Sequence, residues 1–479
     1  MRAHGDDFAG GDTAANGDRV ATTRSTTWSL AAICVGYFMV ILDAMVVNVA
    51  LPALSRGLHT TTTGLQWVVD AYSLVFAALL LSGGALGDRR GAKSVFIAGM
   101  GTFALASLAC GLSPTTAVLI GARCAQGLGA ALAVPASLSL LQAAYPDQAQ
   151  RRRAFGIWGG VAGIAAGAGP VVGGALVSGF GWRSVFYLNV PIGAAGLVLA
   201  ARHLPSPPRH PHSADPVGQL AAMVSLGGLT AGFIEAGSLG WGSPVVVVAF
   251  AAFVIGAAAF VAIEHRASRP MLPLGLFSSP TFSAATIVGL LINLGLYGEL
   301  FVMSLYLQQL RGLSALSAGV ALVPEAAMSI AGSTVSGRVM ARRGPRLPML
   351  VGLLLGAAGL ASLVVTGAHS AYWLLVVPFM ATGLGMSLVM PAATAAVMEA
   401  APGERGGLAA GTVNAARQVG GILGVALLGT LVASRATFVP GLTPPGMVIA
   451  AAAFLLGAPL TAVAISDPAA HASRPNGIE

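Results

Sequence analysis

Lysine occurs once in this chain, at Lys93, and Asp, Glu, Lys and Arg together make up only 9% of its 479 residues. Soluble domains carry roughly 25% charged residues, so a water-facing surface over most of the chain is excluded. Cysteine is almost as scarce. Cys34, Cys110 and Cys124 all fall within apolar runs, without metal-ligand spacing and without a disulfide framework, and read as small buried hydrophobes. Aromatic residues are few, and the Met and Trp positions are too scattered to outline a cofactor box. No phosphate-binding loop, metal cluster or catalytic triad stands out, so no enzyme, metal or cofactor is expected. The net charge of +8 is spread over many short loops instead of one patch, which argues against a nucleic-acid partner.

What is present is hydrophobicity: 56% apolar residues and a mean hydropathy of +0.81. A helix crossing a bilayer needs ~20 apolar residues. Runs of that kind recur at 28–54, 65–86, 95–112, 115–143, 154–179, 185–203, 217–237, 244–264, 281–309, 315–337, 348–367, 371–398, 407–434 and 446–466. The expected fold class is therefore an all-α integral membrane protein with 14 transmembrane helices. The first run is too long for a signal peptide and contains Asp43 and Asn48, so it reads as a span after a disordered polar tail, 1–27.

An even number of spans puts both termini on one side. Arg2 apart, the tails and loops of that side hold eighteen Lys and Arg, among them Arg89, Arg90, Lys93, Arg151, Arg152, Arg153, Arg342 and Arg343. The opposite loops hold four: Arg56, Arg183, Arg311 and Arg435. Positive residues are retained in the cytoplasm, so both termini are expected to be cytoplasmic in a multi-pass protein of the cell membrane.

The loop GALGDRRGAK, Gly84 to Lys93, has a worn copy, GRVMARRGPR, Gly337 to Arg346, at an offset of 253, with Ala341 in the place of Asp88. GLGAALAVPA, Gly127 to Ala136, resembles GLGMSLVMPA, Gly383 to Ala392, at an offset of 256. Two landmarks in one register imply two parallel six-helix halves, 28–203 and 281–466. Between them lie a linker at 204–216, an inserted two-helix pair at 217–264 and a loop at 265–280, and a tail follows at 467–479. Parallel repeats place a substrate path at the interface of the halves, near mid-membrane.

Ionisable groups inside spans are costly and functional by default. Asp43 reads as a proton-binding carboxylate, or as a carboxylate that fixes helix packing through Asn48 or a backbone donor. Arg123 needs a partner or a polar cavity, unless it snorkels at a span end. Gln126, one turn away, favours the cavity. Asp70 and Glu325, at an offset of 255, and Glu299 are candidates to line a central cavity and meet a cationic substrate, or to sit near the membrane surface. Arg417 marks a polar face on the thirteenth span. Glu235 and Glu264 lie on the inserted pair, where structural roles are expected. In the fifth span Gly159, Gly163 and Gly167 share a helix face that suits close packing. Gly169-Pro170 and Gly173-Gly174 add the expectation of a bend.

Taken together, these stretches resemble the major facilitator superfamily, in its fourteen-span drug:proton antiporter branch of methylenomycin-resistance-type exporters. GALGDRRGAK is similar to the family's loop signature between spans two and three, with Ala92 where a basic residue is common. LDAMVVNVALP resembles the first-span signature, with Met45 where Thr or Ser is usual. ARCAQGLGAA matches the fourth-span arginine motif at Arg123, Gln126 and Gly127. GAGPVVGG, Gly167 to Gly174, resembles the fifth-span antiporter motif, and FGWRSVFYLNVPIG the signature that follows it.

The resemblance implies two halves that rock about a central site and export a hydrophobic or cationic compound, driven by proton entry, with no cofactor beyond the coupling proton. Asp43 and Arg123 would handle the proton. Gly84, Asp88, Arg89, Gly91 and Lys93 would form a conformational gate, and Gly163, Gly167, Gly169, Pro170, Gly173 and Gly174 a helix bend that seals the interface. Asp70, Glu299, Glu325, Gln126, Asn48 and Arg417 would line the substrate cavity. A monomer in the lipid bilayer is expected. The alternatives are a proton-coupled solute symporter and a non-transporting membrane sensor or scaffold.

Overall fold

The computed structural model describes residues 11–206, 215–267, 270, 272, 274–367, 369–401, 406–433 and 443–465, with side chains from Thr26 onward outside 402–408 and 433–444. Residues 1–10, the 207–214 part of the linker and the tail 467–479 lie outside the described residues, as do Arg209, Arg269, Arg405, Arg435 and Arg474 of the loop count.

Fourteen described helices are long and apolar enough to cross a membrane. The first half holds α1 (Thr26–Leu58), α2 (Thr62–Arg90), α3 (Ala92–Leu112), α4 (Thr116–Ala144), α5 (Gln148–Phe180) and α6 (Ser184–His203). The inserted pair is α7 (Pro216–Leu239) and α8 (Pro244–Arg266). The second half holds α9 (Pro280–Leu310), α10 (Ala315–Arg343), α11 (Arg346–Val365), α12 (Trp373–Ala400), α13 (Ala409–Val432) and α14 (Pro445–Ala464). No strand occurs among the described residues.

Local chemistry sets the helix ends. Thr61, Thr115, Asp147, Asp215, Ser279 and Ser314 each accept a bond from a backbone N–H in the first turn of the helix that follows. Pro216, Pro244 and Pro280 open α7, α8 and α9, where the first turn needs no N–H donor. Several helices outrun their apolar stretch: α5 begins at Gln148, and α10 continues to Arg343. The helix carrying α1 begins at Gly11, so 11–27, expected as a disordered tail, continue its backbone. A nucleated helix adds polar turns at little cost, so apolarity marks the membrane and not the helix end.

The repeat is a packing repeat. In the first half α2 packs on α4, α3 on α4, α1 on α5, α1 on α6 and α3 on α6. Each pairing recurs in the second half as α10 on α12, α11 on α12, α9 on α13, α9 on α14 and α11 on α14. It reaches the backbone as well. Gly91 has φ +99° and Gly344 has φ +72°, a region that strains any residue with a Cβ. The two arginine-bearing loops therefore turn in the same way. Asn48 and Ser304, related by the offset of 256, touch each other: Ser304 Oγ donates to the Asn48 carbonyl at 2.5 Å. Repeat-related residues in contact lie beside the pseudo-twofold axis.

The halves meet at three seams, α1 on α9, α2 on α13 and α5 on α10. Polar contacts across them cluster at the end opposite the arginine-rich loops. Gln66 Nε2 donates to the carbonyls of Val425 and Ala426 at 3.2 and 2.8 Å. Gln308 Nε2 donates to Val49 O at 2.9 Å, and Leu316 N to Ser178 Oγ at 3.1 Å. Toward the arginine-rich end α5 and α10 part. A Cβ built on Gly156, Gly159, Gly160 or Gly163 of α5, or on Gly337 of α10, meets no atom within 4 Å.

The inserted pair covers the α2/α13 seam. Gln219 of α7 donates to Ala78 O at 2.5 Å and bonds Ser82 Oγ, both on α2. Trp67 Nε1 of α2 donates to Glu235 at 2.8 Å, and Thr430 Oγ1 of α13 donates to the Phe233 carbonyl at 2.6 Å. Glu264 accepts from Leu272 N at 3.1 Å. Both glutamates of the pair thus bond neighbouring protein groups, which fits the structural role expected of them.

Candidate functional site

Asp43 stands in the middle of α1 and Arg123 on α4, both buried. Arg123 Nη1 donates to Asp43 Oδ2 at 2.5 Å, forming the one salt bridge among the described residues. The other carboxylate oxygen accepts from Asn189 Nδ2 of α6 at 2.7 Å and from Gln126 Nε2 at 3.2 Å. Gln126 follows Arg123 by one helical turn, so both side chains reach the same acid. The Gln126 carbonyl oxygen accepts from Arg123 Nη1 at 2.9 Å and from Cys110 Sγ at 3.1 Å, while Nε2 also donates to Ser107 Oγ at 2.6 Å. Arg123 Nε donates to Val68 O at 3.0 Å, and the guanidinium lies 4.3 Å from the centre of the Tyr72 ring.

Helices α1, α4 and α6 thus meet at one carboxylate, and α2 and α3 join the network through Arg123 and Gln126. A buried charge is stable only when paired and hydrogen-bonded, and Asp43 takes three donors. The arginine is satisfied by partners and does not snorkel. Gln126, expected to line a cavity, belongs to this network and is fully buried. Asn48 does not hold Asp43; its Nδ2 donates to Ala44 O at 2.8 Å. Asn189 and Ser107 were missed by sequence reasoning. A lone Asn in an apolar run was a usable signal, because a buried amide needs partners.

The guanidinium also holds Val68 O, Gln126 and the Tyr72 face, so Asp43 is one of several partners that fix it.

In the second half the offset of 256 carries Asp43 to Glu299, Gln126 to Thr382 and Arg123 to Phe379. Sequence reasoning had the offset in hand and did not apply it to these three. Glu299 is buried and accepts a long bond from Thr382 Oγ1 at 3.5 Å. Glu325 of α10 is buried too, and the two glutamates interact electrostatically. Asp70 is fully buried with no hydrogen-bond partner on either oxygen. No described bond links it to either acid cluster. Arg417 lies partly buried on α13, its stem against Gly289 of α9, close to Tyr37 and Tyr297.

Comparison with known sequences and structures places this geometry. The sequence model of the Major Facilitator Superfamily matches residues 33–425 and 300–479. The chain belongs to the major facilitator superfamily. It is 40% identical over 405 residues to the methylenomycin A resistance protein of Streptomyces coelicolor, covering 85% of each chain. It is 39% identical to the methylenomycin A resistance protein of Bacillus subtilis, covering 88% of this chain and 91% of that one. Identity is also 39% to the tetracenomycin C resistance and export protein of Streptomyces glaucescens, covering 86% and 77%. A solved bacterial homologue of the human lysosomal transporter Spinster shares the fold, with a TM-score of 0.63 and 18% identity over 92% of this chain and 97% of that one.

The superfamily's loop signature takes a defined place in the fold. Lys93 Nζ donates to the carbonyls of Ala201 and Leu204 at 3.0 and 2.9 Å, which ties the α2–α3 turn to the end of α6. Gly84 packs against Pro135 of α4, Asp88 is half-buried, and Arg89 and Arg90 are exposed.

The fifth-span residues lie at a crossing. A Cβ on Gly169 would collide with Met45 of α1, one on Gly173 would stand 3.0 Å from Val46 Cα, and one on Gly174 would stand 2.5 Å from the Ala315 carbonyl of α10. Gly319 of α10 in turn abuts the Pro170 carbonyl. Gly167 touches Ala326 and Ile330 more loosely, and Gly163 faces open space. Helix α5 continues through Pro170 to Phe180. The motif's visible work is backbone-to-backbone approach among α1, α5 and α10.

Proposed function

We propose that this protein is a proton-coupled antiporter that exports hydrophobic or cationic drugs or antibiotics across the cell membrane by alternating access. The observation that carries the reading is the buried Asp43–Arg123 pair with its Gln126 and Asn189 partners. A membrane protein keeps an ion pair at such depth when the pair has work to do. Family membership and relatives named for antibiotic resistance and export supply the substrate class.

The coupling follows from what lies next to Asp43 on α1. Met45 and Val46 seat Gly169 and Gly173 of α5, and the Asn48 and Val49 carbonyls accept bonds from Ser304 and Gln308 of α9. A shift of α1 against α4 when Asp43 takes a proton therefore reaches the contacts that close one end of the interface. The arginine count supports a cytoplasmic position for the open, arginine-rich end and for both termini. In that orientation the structure is the inward-facing state, ready to load substrate from the cell interior.

The reading is tested in inside-out vesicles energised with a proton gradient and loaded externally with a fluorescent organic cation. Uptake into the vesicles that collapses with a protonophore supports antiport. Gradient-driven movement in the opposite sense would mean symport. No gradient-dependent flux across a panel of toxic compounds would mean a sensor or scaffold.

A further inference from the structure

The two halves hold an acid at the same point of the repeat with opposite surroundings. Glu299 occupies the register of Asp43, and Thr382, in the register of Gln126, still reaches it. The arginine of that register is missing, and Phe379 stands there fully buried. Leaving a carboxylate charge in such a place without a cation costs several kcal/mol. What approaches Glu299 instead is a second acid, Glu325, whose Oε2 is buried without a hydrogen-bond partner.

Consecutive residues of α12 set the two acids against each other. Thr382 donates to Glu299, while Gly383 lies against the Glu325 backbone so closely that a Cβ there would stand 2.9 Å from the Glu325 carbonyl carbon. Ser329, one turn along α10, donates to the Gly383 carbonyl at 3.2 Å and locks the register. Neither glutamate forms an ion pair among the described residues. Cys34, Tyr37, Asp43 and Arg56 of α1, Tyr297 and Tyr306 of α9 itself, Glu399 of α12 and Arg417 of α13 are the other charged or titratable groups on the helices around Glu299. Arg417 packs its stem at Gly289, toward the arginine-rich end, and its electrostatic partners among the described residues are Tyr37 and Tyr297 and neither glutamate. The arginines of α5, α10 and α11 near Glu325's helix all lie at that end too. Two neighbouring buried carboxylates cannot both carry charge. A carboxylic acid donates and a carboxylate accepts, so a single proton satisfies both.

We propose that Glu299 and Glu325 form a second, arginine-free proton site in which the two carboxyl groups share one proton. The shared proton leaves the pair with a net charge of minus one and needs no reactant besides water. The proposal requires the fold but not the export reading: one half carries an acid balanced by arginine, the other an acid pair balanced by a proton.

The test is an infrared pH titration of the purified full-length protein, following the carboxylic-acid C=O band that shifts in D2O. Wild type, E299Q, E325Q, E299Q/E325Q, D43N and D70N are compared. The double variant is expected to lose the absorbance of about one carboxylic acid at neutral pH, and each single variant to turn the pair's two-step titration into one step. D43N is expected to keep both steps, and D70N separates the contribution of the unpartnered Asp70. A folded double variant with the wild-type band and titration overturns the proposal, as do single variants that each delete one step and leave the other unmoved. If the double variant does not fold, the two single variants decide by the same criterion. Lost transport with the two-step titration intact would count against the export reading and leave this site standing.

Discussion

Replacing Asp43 by Asn keeps the shape of the side chain and removes the charge at the centre of a network drawn from five helices. Asp43 takes donors from Arg123 at 2.5 Å, Asn189 at 2.7 Å and Gln126 at 3.2 Å. Asparagine offers one acceptor oxygen, and its own N–H groups would face donors. Breaking one partner of a buried ion pair costs about 3–5 kcal/mol. Arg123 keeps the Tyr72 face and the Val68 carbonyl, and a desolvated cation–π contact offsets about 2 kcal/mol. The net loss is about 1–3 kcal/mol, one to two powers of ten in the local equilibrium. Asp43→Asn/Arg123→Gln removes both charges, and neutral replacement of a whole buried pair is often close to neutral. Thermal unfolding in detergent should therefore rank wild type and the double variant above Asp43→Asn, while both variants lose proton-driven efflux. A double variant no more stable than Asp43→Asn would refute the buried pairing, and efflux at the wild-type rate in Asp43→Asn would remove this acid from coupling.

Arg123→Lys retains the charge but not the fork that reaches Asp43, Gln126 and Val68 together. Loss of two charge-assisted bonds at about 1.5–3 kcal/mol each should lower vesicle transport rates by about 100-fold or more, and near-normal turnover would contradict it. Gly174→Val drives a methyl-bearing carbon into the Ala315 carbonyl. About 1–3 kcal/mol of overpacking should shift the population away from this conformation by about 5–150-fold, read as faster thiol labelling of a cysteine at the buried Ser304 position. Gly160→Ala, whose Cβ meets no atom within 4 Å, should leave that labelling unchanged. Gly91→Ala places a Cβ at φ +99°, a strain of about 1–3 kcal/mol, and should lower the midpoint of thermal unfolding more than Gly101→Ala, where a Cβ meets no atom within 4 Å.

Much of this architecture could be read before any coordinates. The loop pair at Gly84 and Gly337 predicted the repeat, and the matching backbone at Gly91 and Gly344 shows why: the turn between helices needs the same glycine twice. Span ends were less legible at Gln148 and Arg343, because arginine-bearing turns extend a helix without adding hydropathy. At the site, Asp43 and Arg123 announced themselves as charges in apolar runs, yet their pairing across α1 and α4 is a tertiary fact. Gln126 reads as cavity-lining in the sequence because Arg123 beside it needs either a partner or a polar cavity; with Asp43 as the partner, the glutamine turns inward with it. Asn189 was invisible for a different reason. It carries no charge, and its role depends on α6 crossing α1 at the depth of Asp43.

The inserted pair makes the two remaining seams unequal, and this bears on how the molecule can move. Helix α7 bonds α2 at both ends and α13 at one, all along a single seam. The α5/α10 seam has no such cover among the described residues, and its small-residue face meets none of them toward the arginine-rich end. Two bodies laced along one edge do not rock evenly; they turn like the boards of a book about its spine. The widest excursion then falls at the fore-edge between α5 and α10. There the motion meets the lipid directly, so bilayer thickness and composition become part of the load against which the protein works.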